Sequence, residues 1–190
     1  MLLYMIRHGE TENNLAKRHS GHSLTSLTEK GIEDAKRAGE KLKGIAFDKI
    51  YTSDLPRTQQ TCMAALPGAE FEALRLIKEI NVGICTDRLV SDCTAQWGGE
   101  YLRAKKIFDY TSFGGENVKM LQARARRFLK LLEESSFERV AAFSHGAFTK
   151  HLLDVVMGKN LDKNLFYLNN GGVCIFEYKD GLWRLKSWNL

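Results

Sequence analysis

The stretch LLYMIRHG, residues 2–9, runs from five apolar residues directly into two side chains that can both carry positive charge. The apolar run predicts a buried strand over residues 1–6. Arg7 and His8 would point to opposite faces if the strand continued, and Gly9 permits a sharp turn just after them. The first strand is therefore predicted to end where an arginine and an imidazole come together.

The whole chain of 190 residues has the composition of a globular domain. Hydrophobic residues make up 44% and charged residues 27%, and no linker, repeat or low-complexity segment divides the sequence. We therefore predict one domain over residues 1–190. The formal net charge of +5 favours anionic ligands, although an ordinary basic surface explains that value equally well.

The sequence carries no targeting or membrane signal. Its N-terminal apolar run is too short for a signal peptide, and no segment approaches the about 20 apolar residues of a membrane span. We expect a cytoplasmic protein with no membrane partner and with reduced thiols. No C-x-x-C pair suggests a zinc or redox site among the four cysteines, which are Cys62, Cys85, Cys93 and Cys174.

Predicted strands alternate with predicted helices along the chain. Further strands are expected at 48–52, near 71–74 and at 138–144, and a hairpin at 173–188 turns at Asp180-Gly181. This order predicts an α/β fold, a three-layer sandwich with a mostly parallel sheet to which the C-terminal hairpin adds an antiparallel edge.

The helices are predicted from apolar periodicity and from capping residues. They begin near Thr28, after a Ser53 or Asp54 cap, at about residue 116 and at about residue 147. Residues 80–115 are irregular with one helix at 99–109, and we predict that they form a small cap that determines substrate specificity. The helix at 116–133 also carries a basic stripe that we interpret as a solvated face, formed by Arg124, Arg126, Arg127 and Lys130.

Residues that bind anions follow three of the predicted strands. Arg7 and His8 come after the first strand, Arg57 after the second, and His145 after the strand at 138–144. In a parallel sheet these positions share the edge where ligands bind, and helix N-termini there add N–H donors. Because arginine offers a planar fork to phosphate oxygens, this edge is predicted to bind a phosphate dianion.

Other phosphate-handling motifs are absent from the sequence. No cysteine precedes an arginine by six residues, and no Asp-x-Asp, G-x-x-x-x-G-K-[ST] or G-x-S-x-G motif occurs. Histidine is then the best nucleophile on offer, and it needs neither a metal nor another cofactor.

Several segments together resemble the motifs of one family. RHGETENN, SGHSLTSLTEKGIEDA, SDLPRTQQT, GGEN and FSHGAF occur in order over nearly the whole chain. They resemble the histidine phosphatase superfamily, the phosphoglycerate-mutase-like proteins. The resemblance implies that His8 is the nucleophile that becomes phosphohistidine and that Glu79 is the acid that protonates the leaving oxygen.

The resemblance also implies which residues surround the substrate. Arg7, Arg57 and His145 match residues around the phosphoryl group, and we expect His145 to be protonated there. Four further positions match substrate-contacting residues, which are Asn14, Ser20, Gly21 and Gly146.

Departures from the family pattern favour a phosphatase over a mutase. Ile80 stands where mutases usually carry arginine, Ala147 closes the triplet that mutases usually write His-Gly-Asn, and Cys85-Thr86-Asp87 replaces Trp-Glu-Gly. These changes remove groups that would bind a second anionic end of the substrate. The predicted partner is a small phosphorylated metabolite and not a nucleic acid.

Two alternatives stay open at this point. One is a phosphoglycerate-type phosphomutase, and the other is a phosphate-ester-binding protein without catalysis. The sequence leaves open the oligomeric state and the roles of His19 and His22.

Overall fold

One six-stranded sheet organises the protein, and a computed structural model describes all of residues 1–190. The strands are β1 (Leu2–Arg7), β2 (Lys49–Thr52), β3 (Glu72–Ala73), β4 (Arg139–Ser144), β5 (Val173–Lys179) and β6 (Leu182–Ser187). Their order across the sheet is β3-β2-β4-β1-β5-β6. The first four strands pair in parallel, whereas β5 and β6 pair antiparallel. The predicted α/β fold with an antiparallel hairpin edge is confirmed.

Six α-helices and three short 3-10 helices connect the strands. The α-helices are α1 (Glu12–Leu15), α2 (Glu29–Leu42), α3 (Pro56–Ala65), α4 (Val90–Ile107), α5 (Val118–Glu133) and α6 (Gly146–Met157). The 3-10 helices span Arg75–Ile77, Gly83–Cys85 and Thr111–Phe113. None of the helices combines the length and the apolarity that crossing a bilayer requires.

The alternation of side chains along β1 shows why the fold has three layers. Leu3 and Met5 belong to a large apolar cluster shared with α5 and α6, whereas Tyr4 and Ile6 belong to a second cluster shared with α2 and α3. Successive strand residues point to opposite faces, so both faces of the central strand are buried under helices. All four cysteines are buried and unpaired.

The helix starts agree with the capping predictions at α2 but not at α3. Thr28 caps α2, where its side chain accepts a hydrogen bond from the Gly31 N–H. The prediction that Ser53 or Asp54 caps α3 is wrong, because Leu55 occupies the cap position and Pro56 begins the helix. Proline needs no capping partner for a missing N–H, and the Ser53 hydroxyl is left for other contacts.

The segment at 80–115 contains more helix than its sequence predicts. Helix α4 begins at Val90, well before the predicted start at 99, and Gly98 interrupts it with φ of 50° and ψ of −126°. The half that follows this kink ends at Ile107, close to the predicted end at 109, and Phe108 caps it in the left-handed conformation. Gly98 supplies a backbone conformation that other residues rarely adopt, which explains why periodicity recovers only the second half.

A close backbone approach fixes the turn that follows β1. A Cβ atom added to Gly9 would collide with the Gly31 carbonyl, and one added to Gly31 would collide with the Glu10 carbonyl. The first turn of α2 therefore packs directly on the chain next to His8. The Gly9 N–H also donates to the Thr61 hydroxyl of α3 at 3.1 Å.

Candidate active site

His8 lies directly after β1, at the edge of the sheet where the parallel strands end. Its backbone N–H donates to the Ser144 carbonyl at 3.0 Å, and its own carbonyl accepts from the Asn170 amide at 3.0 Å. The ring is 3% exposed, and Nδ1 lies 2.7 Å from the Gly9 carbonyl, which can only accept. Nδ1 therefore carries the proton, and Nε2 keeps its lone pair.

The surroundings of His8 hold its ring in the neutral form. Burial, followed by the charges of Arg57 and Arg7, lowers the pKa of His8 well below its ordinary value of 6.5. A neutral imidazole with an unprotonated Nε2 is a competent nucleophile near neutral pH.

His145 follows β4 and faces His8. The two ring centroids are 5.2 Å apart, and Nε2 of His145 hydrogen-bonds the Ser53 hydroxyl at 2.8 Å. The ring is fully buried, and its Nδ1 has no partner. Burial and the Arg57 charge lower the pKa of His145 well below 6.5. These effects favour the neutral ring in the free protein, and the protonation of His145 beside a bound phosphate stays a prediction.

Arg57 lies in the first turn of α3 and is fully buried. It donates to the Ser23 carbonyl through Nη1 at 2.9 Å and to the Gly21 carbonyl through Nη2 at 2.8 Å, and its Nε has no partner. Burial lowers the pKa of Arg57 to about 10, against the opposing charge of Glu79. The guanidinium thus stays charged at neutral pH and also anchors the loop that carries Ser20 and Gly21.

Arg7 ends β1 and lies against the start of α6. Its Nη1 donates to the Leu168 carbonyl at 2.6 Å, and its buried Nε has no partner. A Cβ atom added to Gly146 would approach Arg7 Nε to 3.2 Å, so glycine at this position allows the guanidinium close to the helix start. Burial lowers the pKa of Arg7, and the charge of Glu79 opposes that shift.

Glu79 places its carboxylate on the N-terminus of α6. Oε2 accepts from the Ala147 N–H at 3.2 Å, and Oε1 accepts from the N–H groups of Phe148 at 3.2 Å and Ile80 at 3.0 Å. The N–H of Gly146, one residue earlier, lies at a position that an α-helix leaves without an internal acceptor. Glu79 therefore stands at the same helix end as His145.

The remaining predicted substrate contacts lie around this centre. The Asn14 side chain accepts from the N–H of Thr11, the residue that caps α1, and its Oδ1 lies 3.5 Å from the Asn170 amide that holds the His8 carbonyl. Ser20 has a buried hydroxyl without a partner. Gly21 adopts φ of +42°, and a Cβ atom there would clash with the Val82 side chain.

The structure brings the catalytic candidates of the sequence to one sheet edge, and their chemical roles remain predictions. Arg7, Arg57 and His145 lie near His8, and each has one buried nitrogen without a hydrogen-bond partner. The two arginine nitrogens are donors, and Nδ1 of a neutral His145 is a donor when Nε2 accepts from the Ser53 hydroxyl. Buried donors without partners cost free energy, and a phosphate oxygen can satisfy them. The arrangement is thus suited to binding a phosphate and presenting it to a neutral imidazole.

Three residues that hold this arrangement were not assigned this role from the sequence. Asn170 supports the His8 carbonyl, and His22 Nε2 bonds the Glu79 carbonyl at 2.9 Å. Arg124, interpreted from sequence as solvated, is 17% exposed and pairs with Glu116 at 2.9 Å. The one signal available for Arg124 was its place beside the apolar stripe of α5, with Glu116 of the GGEN motif two turns earlier.

His19 connects the loop that carries Ser20 and Gly21 to α4, through a hydrogen bond of 2.5 Å between its Nε2 and the Tyr101 hydroxyl. No group of three or more histidine, cysteine, aspartate or glutamate side chains is arranged to hold a metal ion. Independence from metals remains a prediction for experiment.

A large apolar surface groove lies elsewhere. It has a volume of about 780 Å³ between the ends of α2 and α3, and apolar side chains such as Leu42, Phe47 and Leu66 line it. None of the predicted catalytic residues borders this groove. The chemistry of the residues, and not the size of a cavity, identifies the candidate site.

Comparison with known families gives a match over almost the whole chain. The model of the histidine phosphatase superfamily (branch 1) matches residues 3–190. The curated relatives include a 2,3-bisphosphoglycerate-dependent phosphoglycerate mutase of Brucella melitensis, which is 32% identical over 91% of this chain and 89% of that protein.

Solved structures with the same fold include phosphatases. The alpha-ribazole phosphatase of Shigella flexneri superposes with a TM-score of 0.89 at 25% identity, covering 100% of this chain and 96% of the other. A phosphoserine phosphatase variant from Entamoeba histolytica, in complex with phosphoserine, gives a TM-score of 0.83 at 26% identity, covering 99% and 96%.

Proposed function

Because the chain belongs to branch 1 of the histidine phosphatase superfamily, we propose that it hydrolyses small phosphomonoesters through a phosphohistidine formed on His8. The state of the His8 ring carries this proposal. Nδ1 is committed to the Gly9 carbonyl, the pKa is held well below 6.5 by burial and two arginines, and Nε2 keeps its lone pair. A residue with only a structural role has no need of this combination.

In the first step, Nε2 of His8 attacks phosphorus and the bond from phosphorus to the ester oxygen breaks. The guanidinium groups of Arg7 and Arg57 stabilise the equatorial oxygens as charge redistributes. The protonated carboxyl group of Glu79 gives its proton to the departing oxygen, which leaves as an alcohol. Phosphorus is then bound to His8.

In the second step, a water molecule attacks the phosphorus of phosphohistidine. Glu79, now a carboxylate, takes a proton from this water, and the bond from phosphorus to Nε2 breaks. Inorganic phosphate leaves, while His8 returns to its neutral form and Glu79 to its protonated form. The cycle balances without an oxidant, a reductant or a metal.

The positions that depart from the mutase pattern support hydrolysis over transfer. Ile80 is 4% exposed and Cys85 is fully buried, so neither offers a charge to the site. Asp87 accepts a hydrogen bond from the Asn13 amide at 2.6 Å, and it adds negative charge within electrostatic reach of Arg57. This side of the pocket is therefore poorly suited to a second anionic group.

The alternative function is a phosphoglycerate-type phosphomutase, which the name of the Brucella relative favours. A mutase would need a bisphosphate primer and would return the phosphoryl group to a second hydroxyl. Net release of inorganic phosphate distinguishes the two activities.

Residues 80–115 are part of this proposal as the segment that determines substrate choice. Tyr101 contacts His19, and Val82 packs against Gly21, so the segment adjoins the loop predicted to touch substrate.

The experiment that tests the proposal is phosphate release from para-nitrophenyl phosphate and from a panel of phosphorylated metabolites, with His8→Ala as the control variant. We expect turnover by the wild type, loss in the variant, a trapped acid-labile phosphoenzyme and full activity after treatment with a strong chelator. Transfer between phosphoglycerates without phosphate release would instead establish the mutase. Loss of activity on chelation would refute the metal-independent mechanism.

A further inference from the structure

Arg124 of α5 donates three hydrogen bonds to the backbone segment that carries Glu79. Nη1 reaches the carbonyl oxygens of Leu76 at 2.7 Å and Lys78 at 2.9 Å, and Nη2 reaches that of Glu79 at 3.1 Å. A guanidinium group is planar and presents its donors in a rigid fork. Three carbonyls bound to one such fork are fixed relative to one another.

Glu116 orients this fork from the opposite side. Its carboxylate accepts from Arg124 Nε at 3.0 Å and from Nη2 at 2.9 Å, a bidentate pair in which both side chains are largely buried. Glu116 also accepts from the Asn81 N–H at 2.9 Å. The pair therefore binds the chain on both sides of Glu79.

The backbone around Glu79 depends on these contacts because it has no regular structure of its own. Residues 78–82 lie between the 3-10 helices Arg75–Ile77 and Gly83–Cys85, outside every strand and α-helix. Buried backbone groups in irregular segments need partners from elsewhere. Arg124 and Glu116 supply them, together with the bond from His22 to the Glu79 carbonyl.

Arg124 also contacts the residue that binds the Glu79 side chain. Its guanidinium carbon lies 5.6 Å from the centroid of the Phe148 ring, and the Phe148 N–H donates to Glu79 Oε1 at 3.2 Å. One arginine thus borders both attachments of the acid, at its backbone and at its carboxylate.

We propose that Arg124 is a positioning residue that holds the Glu79 carboxyl group in place to protonate the leaving oxygen. The inference rests on the proposed function, because it requires Glu79 to be the proton donor. Displacement of a reacting group by about 1 Å can lower a rate by about a hundredfold. Loss of this support is therefore expected to slow mainly the step in which Glu79 donates its proton.

The test compares Glu79→Gln, Arg124→Gln, the double variant and Arg127→Gln on two substrates. Arg127 is exposed on the same helix and serves as the matched control. The substrates are para-nitrophenyl phosphate, whose leaving group needs little protonation, and the best alkyl phosphate of the metabolite panel. We expect Arg124→Gln to lower kcat about tenfold or more on the alkyl phosphate and less than about threefold on the aryl phosphate.

The double variant decides whether Arg124 acts through Glu79. If it does, the double variant loses no more on the alkyl phosphate than Glu79→Gln alone, because the group that Arg124 positions is already gone. Equal losses on both substrates from Arg124→Gln, or additive losses in the double variant, would overturn the inference while Glu79→Gln stays selective. A Glu79→Gln variant without leaving-group dependence would instead show that the proposed proton donor is wrong, and the inference would fall with it.

Two conservative variants guard against a folding failure. Arg124→Lys keeps the charge but not the fork, and Glu116→Gln keeps the shape but weakens the pair. Each is judged by the same selectivity for the alkyl phosphate, after its melting temperature shows that it is folded.

Discussion

Two regions of the active site are built by different physical means. The proposed phosphate-binding floor, formed by Arg7, His8, Arg57 and His145, is attached to strand ends and to the first turn of α3. The segment of the proposed proton donor Glu79, residues 76–82, belongs to no strand or α-helix and is held by side chains that reach it from α5 and from the loop before α2.

The two regions position their side chains in different ways. Backbone ladders fix the floor, since Arg7 pairs with Ser144 in register and places His8 beside His145. Side-chain hydrogen bonds fix the acid, and each can be removed by one substitution. Substitutions in the floor should lower the turnover of every substrate, whereas substitutions around Glu79 should lower mainly the turnover of substrates with poor leaving groups.

The largest effect is expected from Arg57→Ala. It removes a charge beside the phosphate and leaves the carbonyls of Gly21 and Ser23 without their buried donor. We expect kcat/KM to fall by about a thousandfold on aryl and alkyl phosphates alike, and the free energy of unfolding to fall by about 2–4 kcal/mol. Steady-state kinetics and urea unfolding measure both, with the exposed Arg75→Ala as the control. A fall in kcat/KM confined to alkyl phosphates would contradict the proposed difference between the two regions.

Glu79→Gln should affect one class of substrate. Glutamine keeps the shape but has no proton to give, so we expect a loss of about a hundredfold or more on alkyl phosphates and a smaller loss on aryl phosphates. A plot of log kcat against leaving-group pKa should steepen in this variant. An unchanged slope would remove Glu79 from the role of acid.

Gly83→Ala should weaken the fold on the donor side. Gly83 has φ of +56°, and a Cβ atom there would collide with the Phe113 carbonyl, whereas Gly44 has φ of +78° in open space. Both substitutions carry left-handed strain of about 1 kcal/mol, but only Gly83→Ala adds the collision, for a total of about 2–4 kcal/mol. Urea unfolding of the two variants isolates the difference. Equal decreases in the free energy of unfolding would mean that the backbone near Gly83 shifts to relieve the collision at little energetic cost.

The pH dependence of stability should report on the floor. His8 and His145 have pKa values well below 6.5, chiefly because burial opposes their charged forms. Below about pH 6.5 the unfolded chain therefore binds more protons than the folded chain does. The free energy of unfolding then decreases as the pH falls, by at most about 1.4 kcal/mol per pH unit for each histidine. His145→Gln should make this slope shallower between pH 5 and 7 in urea titrations. An unchanged slope would mean that His145 titrates normally in the folded protein.

The sequence predicts the floor because its residues follow strands, and strand ends meet by a general rule of parallel sheets. Arg7, His8, Arg57 and His145 could be assigned to one edge from apolar runs alone. Arg124 could not, because the contacts that link it to Glu79 are to backbone carbonyls far along the chain, which leave no trace in residue types, and its pairing with Glu116 does not by itself indicate the site. The start of α4 was missed since Gly98 interrupts its periodicity, and the α3 cap since Pro56 begins that helix without a side-chain cap.

The position of β1 at the middle of the sheet affects how the enzyme is made. Residues 2–7 are synthesised well before their partners in the sheet, β4 and β5, which begin only at Arg139 and Val173. Until those strands leave the ribosome, β1 presents two unpaired edges and an apolar sequence, the features that favour aggregation. His8, the proposed nucleophile, is thus translated well before the strands that complete its pocket.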